Sequence, residues 1–100
     1  MIPNNLTKFG FDTSSEKIDI ESLDELRQFI NTNFEKTKHI NTIKSSFSLK
    51  EIIEKEFSTF IYNGEFSAAM ILEGFKFKQS DQNAYFNISK KSLKKFLNCI

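Results

Sequence analysis

The sequence predicts an α+β fold, and three patterns predict it. Two capped apolar stripes at helical spacing sit close together at 48–57 and 63–72. Period-two alternation flanks a polar turn between residues 75 and 88. A last helical stripe, from Ser89 to the end, carries lysines on its far face.

Size and composition set the frame. One hundred residues suit one domain, with no room for two independent cores. Hydrophobic content of 39%, with twelve Phe and no Trp, is enough for one compact core and too much for a disordered chain. Richness in Lys, Asn, Ile and Phe, with one Pro and three Gly, is the usage of an AT-rich genome.

The elements follow in order. Residues 1–17 are polar around Phe9 and Phe11 and predict an irregular or flexible N-terminal arm, leaving 18–100 as the folded domain. Ser22 and Glu25 have capping-box spacing, and Leu23, Leu26, Ile30 and Phe34 continue as a helical face. Residues 39–43 are rich in β-formers and predict one short strand. Ser48 and Glu51 repeat the capping spacing before Leu49, Ile52, Ile53 and Phe57. Asn63 is read as the N-cap of a third helix through Phe66, Ala69, Met70 and Leu72, with Gly74 as its C′ glycine. Phe75, Lys76, Phe77 and Lys78 alternate, 79–83 form a five-residue turn, and 84–88 alternate again with Ala84, Phe86 and Ile88 on one face. Ser89 caps a closing helix with Leu93, Phe96, Leu97 and Ile100 on one side and Lys90, Lys91, Lys94 and Lys95 on the other. Helix, strand, two helices joined by a tight turn, hairpin and helix is the order of a winged helix-turn-helix: a three-helix core, a β-hairpin wing and a C-terminal helix.

Several function classes fall away. The only His, His39, has no Cys, Ser or acidic motif beside it, and Gly10, Gly64 and Gly74 are isolated, so no phosphate loop exists. The acidic residues sit at helix starts or alternate with lysines, where the helix dipole and ion pairing account for them. The expectation is a non-enzyme with no cofactor and no metal. A single Cys, Cys99, makes no internal disulfide and is read as a core-edge residue. Without a leader-like start or a membrane-length apolar run, the chain is expected to be soluble, cytoplasmic and without a membrane partner.

Nucleic-acid binding is the leading functional expectation, with DNA ahead of RNA. Net charge is only +1, but residues 1–60 sit at −2 and 61–100 at +3. In the helix-turn-helix reading, Asn63 and Ser67 at the start of the third helix approach base edges or phosphates. That helix carries no Lys or Arg, and Glu65 and Glu73 oppose a polyanion. The positive charge lies instead on the hairpin, at Lys76 and Lys78, sharing an outward face with Tyr85 and Asn87, and on the last helix at Lys90 and Lys91. Lysines beside an aromatic on a β-surface suit a phosphate track with a stacked base. The same lysines also serve to protect an exposed hairpin edge from pairing. The alternative is a protein–protein module on the same scaffold, docking on a replication or host-defence protein or, as a homodimer, on a copy of itself.

The run from Asn63 to Lys78, followed by Asn83-Ala-Tyr-Phe-Asn-Ile-Ser-Lys-Lys-Ser, resembles small uncharacterised winged helix-turn-helix-like proteins of phages and mobile elements of low-GC bacteria. Their pattern is Ser-x-x-Leu-Lys, then a Tyr-x-x-Asn-Gly-Glu-Phe helix, then an aromatic and basic hairpin ending in Asn-Ile-Ser. The likeness covers residues 46–95. It implies a mobile-element setting, in which some proteins are accessory DNA-binding or replication proteins and others inhibit host defence, and it carries no catalytic residues.

Overall fold

Residues 2–98 are described by the computed structural model, and among them the apolar stripes have become four helices around a small sheet. Cys99 and Ile100 lie outside the described residues. Two two-residue strands, β1 (Leu6–Thr7) and β2 (Gly10–Phe11), form an antiparallel ribbon. A 3-10 turn at Ile20–Leu23 leads into α1 (Asp24–Asn33), then β3 (Lys36–Asn41), α2 (Ser46–Phe57) and α3 (Asn63–Leu72). β4 (Phe77–Ser80), β5 (Asn83–Ile88) and α4 (Lys90–Asn98) complete the chain. The second sheet is antiparallel throughout, in the order β3-β5-β4. A radius of gyration of 12.4 Å is that of a compact chain of this length.

The caps differ from their expected residues in three places. Ser22 makes no capping box: its hydroxyl donates to the Asp19 carbonyl at 2.7 Å, which tightens the entry into a 3-10 turn and delays α1. α2 starts two residues before Ser48, because the Ser45 side chain accepts from the Ser48 N–H. Tyr62, not Asn63, is the N-cap of α3, and the Glu65 carboxylate reaches back to the Tyr62 N–H at 3.3 Å. At its other end α3 closes as expected. Gly74, at φ +90°, donates to the Ile71 carbonyl at 2.9 Å, and Phe75 donates to Met70 at 3.1 Å, the paired bonds of a Schellman motif.

The hairpin turn is two residues, Asp81 and Gln82, rather than five, since Ser80 already pairs with Asn83. Asp81 takes the positive φ that so short a turn demands.

Phe66 of α3 and Phe86 of β5, both fully buried, meet edge-to-face at 6.1 Å in the centre of the core. A second aromatic chain links three helices: Phe96 of α4 meets Phe29 and Phe34 at 5.8 and 5.1 Å, and Phe29 meets Phe57 of α2 at 5.2 Å. Such pairs add roughly 1 kcal/mol each beyond the area they bury. α4 is fastened by Ser89, whose hydroxyl caps Ser92 and whose N–H donates to Glu35 at 2.7 Å.

The N-terminal arm departs most from expectation. Leu6, Thr7, Gly10 and Phe11 are buried, and Phe11 stacks on Phe77 at 5.6 Å. Two backbone hydrogen bonds also tie the ribbon to the domain. Phe11 donates to the Gln82 carbonyl at 2.9 Å, and Gly64 donates to the Lys8 carbonyl at 3.0 Å.

Candidate nucleic-acid interface

The register of the hairpin sets Lys78 directly opposite Tyr85, one step from the Phe77–Phe86 pair. Alternation therefore turns Lys78 and Tyr85 to the face away from Phe86 and the core. Lys76 and Lys78 are exposed, and Tyr85 is half-buried. Asn87 is buried. Its Oδ1 accepts from the Lys76 N–H at 2.7 Å and its Nδ2 donates to the Thr37 carbonyl at 2.8 Å, so one side chain ties β5 to both flanking segments.

No Asp or Glu occurs in β3, β4, β5 or α4. Lys36 and Lys38 are exposed on β3. The Lys36 ammonium lies 4.8 Å from the centre of the Phe75 ring. Lys90, Lys91, Lys94 and Lys95 are exposed on α4. Lys90 and Lys94 flank a shallow apolar groove of about 300 Å3 with Ile43, Leu93 and Leu97. Ile43 follows β3, while Lys78 belongs to β4, the other edge of the sheet, so the basic residues fall into two groups.

Three of the expected contact residues are inside the protein. Asn63 is buried, with its Nδ2 donating to the Gln82 carbonyl at 3.3 Å and to Asn83 Oδ1 at 2.8 Å. Ser67 is completely buried and its hydroxyl has no hydrogen-bond partner among the described residues. Asn87 holds the sheet, as above. The physical reason for the first two is that α3 is surrounded: α1, α2, β5, the 3-10 turn and both strands of the ribbon pack on it. Seven of its ten residues are buried. It has no free face to lay in a groove.

The structure also assembles residues that periodicity passed over. Phe9, in the ribbon turn, Phe47, in the first turn of α2, and Phe60, in the α2–α3 connection, are all exposed. Lys50 is buried, its ammonium 2.8 Å from Glu54 and 4.5 and 4.9 Å from the Phe60 and Phe47 rings. Burial by itself raises the Glu54 carboxyl pKa. The hydrogen bonds from Lys50 and from the Ile61 N–H, with the Lys50 charge, outweigh burial and hold it below its ordinary value. The available signal was negative: these Phe fall outside every apolar stripe.

Among the described residues, no three His, Cys, Asp or Glu side chains gather as metal ligands, and no helix is long and apolar enough to cross a membrane. Comparison with protein-family models, curated protein sequences and solved structures gives no match.

Proposed function

We propose that this chain is a non-catalytic nucleic-acid-binding accessory protein of a phage or mobile element, built on a winged-helix scaffold. The order α1-β3-α2-α3-β4-β5-α4, with β3 pairing β5 beside the hairpin, supports the scaffold. One observation carries the function: the sheet and α4 hold exposed lysines and no carboxylate, with Lys78 paired across the strands to Tyr85. A polyanion meets net positive charge there and nowhere comparable on α1 and α2, where acidic residues outnumber basic ones. In this reading the wing and the closing helix make the contacts, and α3 serves as a core element.

A polarisation titration of the chain against labelled DNA and RNA at low salt tests the reading. Binding should weaken with added salt, and Lys76→Glu and Lys78→Glu should each weaken it further and lower the salt slope by about one. Absence of binding at tens of micromolar protein sinks the proposal.

A second reading, a protein–protein module, is favoured by one feature. A cleft of about 470 Å3 beside the start of α1 carries Glu21, Asp24, Glu25 and Glu65, charge of the wrong sign for a polyanion and the right sign for a basic protein segment. Affinity capture of a replication or host-defence protein, lost on reversing Asp24 and Glu25, supports that reading over the first.

A further inference from the structure

A cleft of about 380 Å3 opens where the ribbon turn, the first turn of α2, the α2–α3 connection and the hairpin turn meet. Three of its walls are the open rings of Phe9, Phe47 and Phe60, which are 44%, 45% and 62% exposed. Among the described residues only Ile20 and Ile43 are comparably exposed large apolar side chains, so the open aromatic surface is concentrated here. Tyr62 stands between Phe60 and Phe9, edge-on to both at 4.7 and 5.6 Å. Cations sit among the rings. The Lys8 ammonium is 4.3 Å from the Tyr62 ring centre, and Lys50 lies against Phe60 and Phe47. Lys50 is paired with Glu54, whereas Lys8 has no carboxylate within ion-pair distance among the described residues. Gln82 supplies an amide from the hairpin turn, and Asn83, whose Oδ1 accepts from Asn63, one from the start of β5.

Flat apolar rings, a free ammonium at their edge and side-chain amides are what an unpaired nucleotide requires: a stacking face, a partner for its phosphate and donors or acceptors for the base edge. The cleft adjoins the lysine-bearing hairpin. Asn83 is two strand residues, about 7 Å, from Tyr85.

We infer that this cleft is a base-binding site for single-stranded nucleic acid, in which unpaired bases stack on Phe60 and Phe9 while the backbone follows Lys8 and the Lys78–Tyr85 pair. The inference rests on the nucleic-acid reading above and narrows it to a single strand, since paired bases are stacked inside a duplex and present no free face. An apolar protein side chain is the rival occupant, and the unpaired Lys8 ammonium at the rings favours the polyanion.

The test titrates the full chain with a short labelled oligothymidylate and with a labelled duplex at low salt, using Phe9→Ala, Phe60→Ala, Phe60→Trp and Lys78→Glu. Thermal melts confirm that each variant is folded. Each alanine variant should weaken oligothymidylate binding by about tenfold and leave duplex binding unchanged, while Lys78→Glu weakens both. The chain has no Trp, so Phe60→Trp places a single indole in the cleft. It should retain binding, and its fluorescence should be quenched by the oligonucleotide. If both alanine variants bind oligothymidylate as the parent does, or the indole is not quenched, the base site is overturned. The nucleic-acid reading then still stands if Lys78→Glu weakens binding. If the parent binds neither probe, both are overturned, and loss of a captured protein in Phe60→Ala alone assigns the cleft to a protein partner instead.

Discussion

The Gly64 N–H donates to the Lys8 carbonyl at 3.0 Å, and this bond lays the N-terminal ribbon across the first turn of α3. The contact leaves no room for a side chain at 64. A Cβ there would overlap the Thr7 carbonyl oxygen and stand 2.7 Å from the Lys8 carbonyl. The helix that a helix-turn-helix would present to DNA is thereby capped by backbone from the other end of the chain.

Gly64→Ala should therefore force the ribbon off α3. The expected cost is about 2 to 3 kcal/mol in urea denaturation, with loss of hydrogen-exchange protection at Phe11. Unchanged stability would show that the ribbon contact is dispensable.

The Lys50–Glu54 pair gives the fold a pH dependence. The Glu54 carboxyl has a lower pKa folded than unfolded. Its contribution is therefore complete above the unfolded carboxylate pKa and is lost as pH falls through the folded value. Glu54→Gln should cost roughly 2 kcal/mol at neutral pH by leaving a buried ammonium without its anion. The difference from the parent should shrink as pH falls below the ordinary glutamate range and close only once pH has passed below the still lower folded value, as followed by denaturation midpoints across pH.

Asn87 and Lys78 separate structure from contact. Asn87→Ala strands the Lys76 N–H and the Thr37 carbonyl and should lower stability by about 2 to 3 kcal/mol. Lys78→Ala, on the exposed face, should change stability by less than about 0.5 kcal/mol while weakening nucleic-acid binding. Thermal melts run beside binding titrations distinguish the two.

Ser67→Ala should raise stability, by up to about 1 kcal/mol, because it removes a buried hydroxyl without a partner. Nucleic-acid affinity should not move. A loss of affinity in this variant would mean that α3 reaches the ligand after all.

Much of the architecture was legible in the sequence. The stripe Leu49, Ile53 is fully buried in α2, Ala84, Phe86 and Ile88 face the core from β5, Gly74 ends α3, and Ser89 caps α4. These are local features: a helix or strand writes its period, and a cap its chemistry, within a few residues. The basic face was partly legible too, since Lys78 and Tyr85 needed only a hairpin to meet.

The remainder depends on contacts between residues far apart in the chain. Asn63, Ser67 and Asn87 carry side chains that local rules assign to caps, turns and surfaces. Asn63 and Asn87 are buried because their partners, at Gln82, Asn83 and Thr37, lie across other elements. Strands of two residues, such as Leu6–Thr7 and Gly10–Phe11, are too short to show a period at all. The sequence by itself determined the kinds of element, their order and the split of charge between the two parts of the chain, because these arise from neighbouring residues. Only the tertiary structure decided that the ribbon covers α3, that Lys50 goes inside, and that Phe9, Phe47 and Phe60 stay outside together. Packing of elements separated by tens of residues settles which polar groups find partners and which apolar rings are left over.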